Sequence, residues 1–408
     1  MQMPNMSSKS RKESLLAAIF LMATSAIGPG FITQTATFTS LLGASFAFAI
    51  LISIIIDFII QLNIWRVVSI TNMRASDIAN AAIPGSGYLL AILVIIGGLF
   101  FNIGNIGGAG LGLNILFGLD PKVGGTISAL FAIAIFLSKR AGMAMDKFII
   151  LAGIVMILLT LYVAFSSNPP VLTALHQTFL PEKINFATIT TIVGGTVGGY
   201  ITYSGAHRLL DKGMVGVSNI KAVNKAALTG VALTGIMRYI LFIAIFGVVA
   251  SGIVLDTVSK SANPAAQAFQ AAAGEIGFKI FGIIFWSAAL TSVIGAAYTS
   301  VSFINSFKKG LSERSKNIAT VIFIAISLIS YIFITTPPAA MLVFVGGLNG
   351  LILPLGFSIF LFAMWKRKDL MGDYKYPLVL FYLGVLVCIL TWYMGIQSIG
   401  AIFKIINL

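Results

Sequence analysis

Two charged residues stand deep inside apolar runs of the chain: Asp57 in Ile54-Ile55-Ile56-Asp57-Phe58, and Arg238 in Gly235-Ile236-Met237-Arg238-Tyr239. A charge at bilayer depth costs at least about 2.5 kcal/mol, so each must face the protein interior and find a partner. They could form a structural pair. Alternatively, Arg238 could neutralise a carboxylate and Asp57 could carry a coupling proton. Thr291 and Ser292 place two adjacent hydroxyls in another apolar run. Such oxygens are hard ligands for a sodium ion, and equally they can bond carbonyls of their own helix. Asn102 and Asn105 lie three apart, near one helical face, and Asn349 is a further uncharged polar group. All three suit either interhelical hydrogen bonds or substrate contact.

The remaining chemistry-bearing residues are sparse. His207 and His176 form no spaced ligand pair, and the one cysteine, Cys388, permits neither an intrachain disulfide nor a cysteine metal site. No Ser/His/Asp set, nucleotide-binding loop or redox motif is present, so the chain does not read as an enzyme.

Two stretches break apolar runs with glycine and small polar residues. One begins at Ser25 and continues through Gly28-Pro29-Gly30-Phe31-Ile32-Thr33-Gln34-Thr35-Ala36-Thr37; the other is Gly194-Gly195-Thr196-Val197-Gly198-Gly199-Tyr200-Ile201-Thr202-Tyr203. Unwound backbone persists in a membrane only where it faces a cavity, an ion or a substrate. Half-helix N termini then suit an anion, and freed carbonyls suit a cation. Glycines also permit simple kinks and close packing. The substrate contacts expected here are Gly28, Gly30, Gly195 and Gly198 through backbone, and Thr33, Thr35, Thr37, Tyr200 and Tyr203 through side chains. Asn102, Asn105 and Asn349 stand beside them.

The elements that must position these residues are membrane helices. Of 408 residues, 58% are hydrophobic and 9% charged, against roughly 25% charged in soluble domains. Apolar spans fall near 13–40, 43–65, 88–117, 123–138, 148–166, 186–206, 226–254, 276–305, 317–335, 339–364 and 376–403, which makes about eleven helices. The first reads as a membrane helix rather than a removable signal peptide. Placing the N terminus in the cytoplasm puts twenty basic residues inside, among them Lys9, Arg11, Lys12, Lys309, Arg208 and Lys212. Five lie outside, namely Lys122, Lys183, Lys260, Lys279 and Lys404, and Arg238 is within a span. The net charge of +14 is thus a topology signal, and nucleic acid is not an expected partner. The breaks fall in spans one and six. The expectation is one domain over 1–408: inverted repeats of five helices near 13–166 and 186–364, and an additional helix near 376–403.

Gly28-Pro29-Gly30-Phe31, the Gly43-Ala44-Ser45-Phe46 opening of span two, Leu113-Asn114-Ile115-Leu116-Phe117-Gly118 closing span three and Gly195-Thr196-Val197 resemble the natural-resistance-associated macrophage protein (Nramp) family. The resemblance implies an all-α integral membrane protein of the LeuT-type fold, with helices 1 and 6 broken, that moves divalent transition metals with protons. At the family's ligands the sequence departs. Where the family has Asp-Pro-Gly-Asn in span one, no acid stands here; Gly198, Gly199 and Tyr200 replace Met-Pro-His; Asn102 and Asn105 replace an Asp and a Glu. Such a site neutralises a divalent ion poorly. Gly28-Pro29-Gly30-Phe31 is also similar to the break where amino-acid transporters receive a carboxylate, and Leu290-Thr291-Ser292 to the hydroxyl pair of a sodium site.

The expectation is therefore a secondary transporter of a small organic carboxylate, amino-acid-like or 5-oxoproline-like, working by alternating access. Sodium is its expected coupling ion at Thr291 and Ser292, and no other cofactor is expected. The alternative is a proton-coupled Nramp-type carrier of manganese, iron or magnesium. Either would act as a monomer in the plasma (bacterial inner) membrane, with its C terminus outside.

Overall fold

The computed structural model describes residues 15, 19, 26–308 and 310–406; side chains of 139–150 and 152 are left aside. Lys9, Arg11, Lys12, Ser25, Lys309 and the start of span one lie outside the described residues. The regular structure among these residues is all helical, with turns and loops between the helices, as apolar runs without alternation require.

The helices are α1 (Pro29–Leu42), α2 (Phe46–Thr71), α3 (Ala75–Ala82), α4 (Ser86–Phe117), α5 (Pro121–Leu137), α6 (Lys139–Ser166) and α7 (Val171–Phe179). They continue with α8 (Phe186–Thr196), α9 (Ile201–Asp211), α10 (Ile220–Ala250), α11 (Pro264–Ser302), α12 (Glu313–Phe333), α13 (Pro338–Lys366) and α14 (Leu378–Lys404). Their starts are written in the sequence. Asp120 accepts from the Lys122 and Val123 amides ahead of α5, Asn185 from Thr188 ahead of α8, and Asn263 from Ala266 ahead of α11. Each satisfies amides that have no partner within the helix.

Among the described residues seven helical stretches are long and apolar enough to cross a membrane, or eight if the second half of α6 and α7, bent by 106°, form one span. This count sits beside the eleven expected spans for physical reasons. Pro29–Thr71 is 43 residues, about 64 Å of helix, and contains two spans, because Gly43 at φ +55 ends α1 before α2 begins. Pro264–Ser306 has a non-helical residue, Gly274, near its start. Span six is split into two 11-residue helices, and α5 has only 17 residues.

Burial separates core from periphery. Ten of 14 residues are buried in α1 and nine of 11 in α8, against six of 21 in α12 and eight of 27 in α14. The interrupted helices are therefore the centre of the bundle, wrapped by α4, α10, α11 and α13. On α12, Ile318, Ile322, Ile326, Ile329 and Phe333 form an exposed apolar stripe at helical spacing, the face a bilayer covers.

Candidate functional site

The first interruption lies at residues 27 and 28: Ala26 is helical, Gly28 is extended (φ −102, ψ −172), and Pro29 starts α1 with a ring suited to a first turn. The second covers residues 197–200, between α8 and α9, with Gly199 at φ +54. Gln34 ties them together. Its Nε2 donates to Leu342 O on α13 at 3.0 Å. Its Oε1 sits where a methyl group on Gly195, at the end of α8, would come within 2.5 Å.

Three buried amides share one arrangement. Gln34 is anchored as above. Asn349 Nδ2 donates to Gly97 O at 3.3 Å and Val345 O at 2.9 Å. Asn102 Nδ2 donates to Ser327 Oγ at 3.2 Å, a hydroxyl already donating to Phe323 O. In each case the NH₂ end is fixed by an acceptor, so the carbonyl oxygen is the free end. Gln34 Oε1, Asn102 Oδ1 and Asn349 Oδ1 are buried without a partner. The Asn349 oxygen abuts Gly199, where any side chain would collide with it.

Hydroxyls complete the set. A methyl on Gly28 would lie 2.6 Å from Ser292 Oγ and 4.0 Å from Asn105 Oδ1, so the first break meets α11 and α4 there. Ser292 Oγ, Thr33 Oγ1 and Ser300 Oγ are buried and unpartnered. The other expected contacts have different surroundings. Thr35 donates to Phe31 O at 2.8 Å, and Thr291 donates to Ser287 O and Ala288 O, each within its own helix. Thr37 lines a cavity of about 280 Å³ with Thr188 and Thr191, at the start of α8 and the end of α14. Gly30 has only ordinary contacts, and Gly198 packs on the backbone of Gly194. Tyr200 stands edge-on to Phe101, and Tyr203 packs against His207, Phe303 and Phe360. Cys388 is buried beside Ser358.

Both intramembrane charges converge on α8. Asp57 Oδ2 accepts from Thr196 Oγ1 at 2.6 Å, and Arg238 Nη1 donates to Ile192 O at 3.3 Å. The Arg238 guanidinium also lies over the Phe31 ring, 4.1 Å from its centroid. Among the described residues no direct ion pair joins Asp57 and Arg238. The cation instead caps the negative end of α8, and the anion sits one residue beyond Gly195.

Sequence reasoning overlooked Gln34 and Ser300. A signal for Gln34 existed: it is the one amide in α1, among threonines and apolar residues. Among the described residues no group of three or more His, Cys, Asp or Glu could hold a metal. The unpartnered atoms near the breaks are mainly oxygens, with Asp57 Oδ1 among them, and the donors Asn105 Nδ2, Arg238 Nε and Arg238 Nη2 are likewise without a partner.

A family model described as natural resistance-associated macrophage protein-like matches residues 19–400. The uncharacterized membrane protein YcsG of Bacillus subtilis (strain 168) is 54% identical over 94% of each chain. An uncharacterized membrane protein of Haemophilus influenzae is 50% identical over 93% of this chain and 94% of its own. A crystal structure of an Eremococcus coleocola manganese transporter mutant has a TM-score of 0.74 at 14% identity, over 98% of this chain and 89% of that one. The crystal structure of MhsT with L-phenylalanine has a TM-score of 0.62 at 17% identity, over 96% and 98%. These likenesses establish the LeuT-type fold.

The expectation of an organic carboxylate substrate is corrected by the family match and the manganese-transporter neighbours. Arg238 lies over the Phe31 ring and donates Nη1 to Ile192 O, while its Nε and Nη2 have no partner among the described residues. One feature gives the physical reason. Carbonyl oxygens of three anchored amides repel a carboxylate and attract a cation. By the match over nearly its whole length, the chain belongs to the natural resistance-associated macrophage protein (Nramp) family.

Proposed function

We propose that the protein is a secondary transporter of a hard divalent cation, with manganese and magnesium the ions to test. The observation that carries this reading is the set of three amides, Gln34, Asn102 and Asn349, held by their NH₂ ends with their oxygens unpartnered. Neutral oxygen donors without sulfur or imidazole suit hard ions that keep part of their water shell. A partly hydrated ion at the breaks near Gly28 and Gly195, with Asp57 as its nearest acid, is the arrangement we infer.

For the driving ion we propose the proton, carried by Asp57, the only acid deep in a span. Its Oδ1 is unpartnered, and α8 links it to Gly195. Sodium beside Thr291 and Ser292 is the competing arm of the same assay. We place the face bearing Arg74, Arg208 and Lys212 in the cytoplasm of a plasma membrane, from the bias of basic residues.

Purified protein in liposomes is expected to take up manganese or magnesium down an imposed proton gradient, and calorimetry to register metal binding that disappears in Asp57→Asn. Uptake that follows only a sodium gradient would move coupling to Ser292. Absence of both metal binding and metal uptake would overturn the reading.

A further inference from the structure

On the basic face, where α9 and α11 end and α12 begins, a cavity of about 330 Å³ is lined by Arg74, His207, Arg208, Asp211, Lys212 and Lys316, among others. That is room for roughly ten water volumes. The polar atoms here have the opposite character from those at the breaks. His207 Nε2 accepts the Ala75 amide at 3.2 Å, so in the neutral ring the proton is on Nδ1. That N–H is buried and has no partner, on a residue only 4% exposed. Arg74 spends Nη2 on Asp211 at 2.5 Å, and its Nη1 is likewise buried and unpartnered.

The charges agree with the donors. The two acids of the cavity are each engaged, Asp211 by Arg74 and Glu313 by Lys316 at 2.8 Å. Arg208 and Lys212 line the same space without an ion pair among the described residues. The residues lining the cavity thus carry two uncompensated positive charges, and two of these residues, His207 and Arg74, each have a buried N–H without an acceptor. A buried donor without a partner is destabilising, and an anion would offset that with charge-assisted bonds.

We propose that this cavity binds a phosphate-type oxyanion, either free or as a phosphomonoester headgroup. Two negative charges match Arg208 and Lys212, and the remaining oxygens meet the His207 and Arg74 N–H groups. The site is separate from the breaks and does not depend on which ion is carried.

Thermal-shift and calorimetric titration of the detergent-purified protein tests this with inorganic phosphate against chloride at equal ionic strength. A parallel arm uses nanodiscs with and without phosphatidic acid. Phosphate is expected to stabilise the wild type, and the double variant Arg208→Gln/Lys212→Gln to bind at least about tenfold more weakly. Those two side chains reach the surface, so the variant is expected to fold, with gel filtration as the check. His207→Phe keeps the ring packing against Phe303 and removes the N–H, and should weaken binding as well. Stabilisation by phosphatidic acid alone would assign the same donors to a lipid headgroup. Equal effects of phosphate and chloride, or phosphate binding unchanged in both variants, would overturn the proposal.

Discussion

An amide buried in a membrane protein has two ends, and which end is tied down decides what the other can attract. Gln34 and Asn349 have their donors fixed on carbonyls and their oxygens free. Gln34→Leu and Asn349→Leu keep the bulk and remove the oxygen, and each is expected to lower metal affinity about tenfold to a hundredfold by calorimetry. Glycine neighbours make the arrangement possible. Gly199→Ala places a side chain at φ +54 against the Asn349 oxygen and should cost about 1–3 kcal/mol, read as a lower Tm. Gly28→Ala meets Ser292 Oγ at 2.6 Å, while Ser292 Cβ is at an ordinary 3.5 Å. Adding Ser292→Ala should therefore restore much of the stability lost in Gly28→Ala, a coupling visible in a double-mutant cycle.

At the scale of elements, α8 is a short helix held from two sides by opposite charges, Asp57 through Thr196 and Arg238 through Ile192. Thr196→Val removes the only hydrogen bond to Asp57 among the described residues and should destabilise by about 1–3 kcal/mol in chemical unfolding. Asp57→Asn and Arg238→Gln, made singly, each leave one intramembrane charge uncompensated. Made together they should cost less than the sum, and full additivity would argue against mutual compensation. The breaks were legible because glycine and proline mark them, and the long helices because their apolar runs exceed any strand. Gln34 was not, since sequence gives a residue's type and not the direction of its amide. Nor were α3 and α7: at eight and nine residues they are too short to span and read as loops. The contact of Arg238 with the Phe31 ring was not legible either, because the two become neighbours only in the folded bundle.

For the molecule as a whole, the alternation of basic residues between loops carries the orientation. Reporter fusions at residue 212 and at the C terminus should report cytoplasm and exterior respectively; the reverse pattern would invert the assignment. One helix also has a consequence for the bilayer. At 17 residues, α5 is about 25 Å long, short of a hydrocarbon core of about 30 Å, and it turns into α6 after a single residue, Ser138. Its Ile127, Leu130 and Phe131 face outward. A helix shorter than the hydrocarbon core is accommodated by thinning the bilayer beside it or by snorkelling of its flanking residues, which makes this flank the one most sensitive to bilayer thickness. Acyl-chain length is then a variable of transport in its own right, with thinner membranes relieving the mismatch that thicker ones impose on the helices next to the broken core.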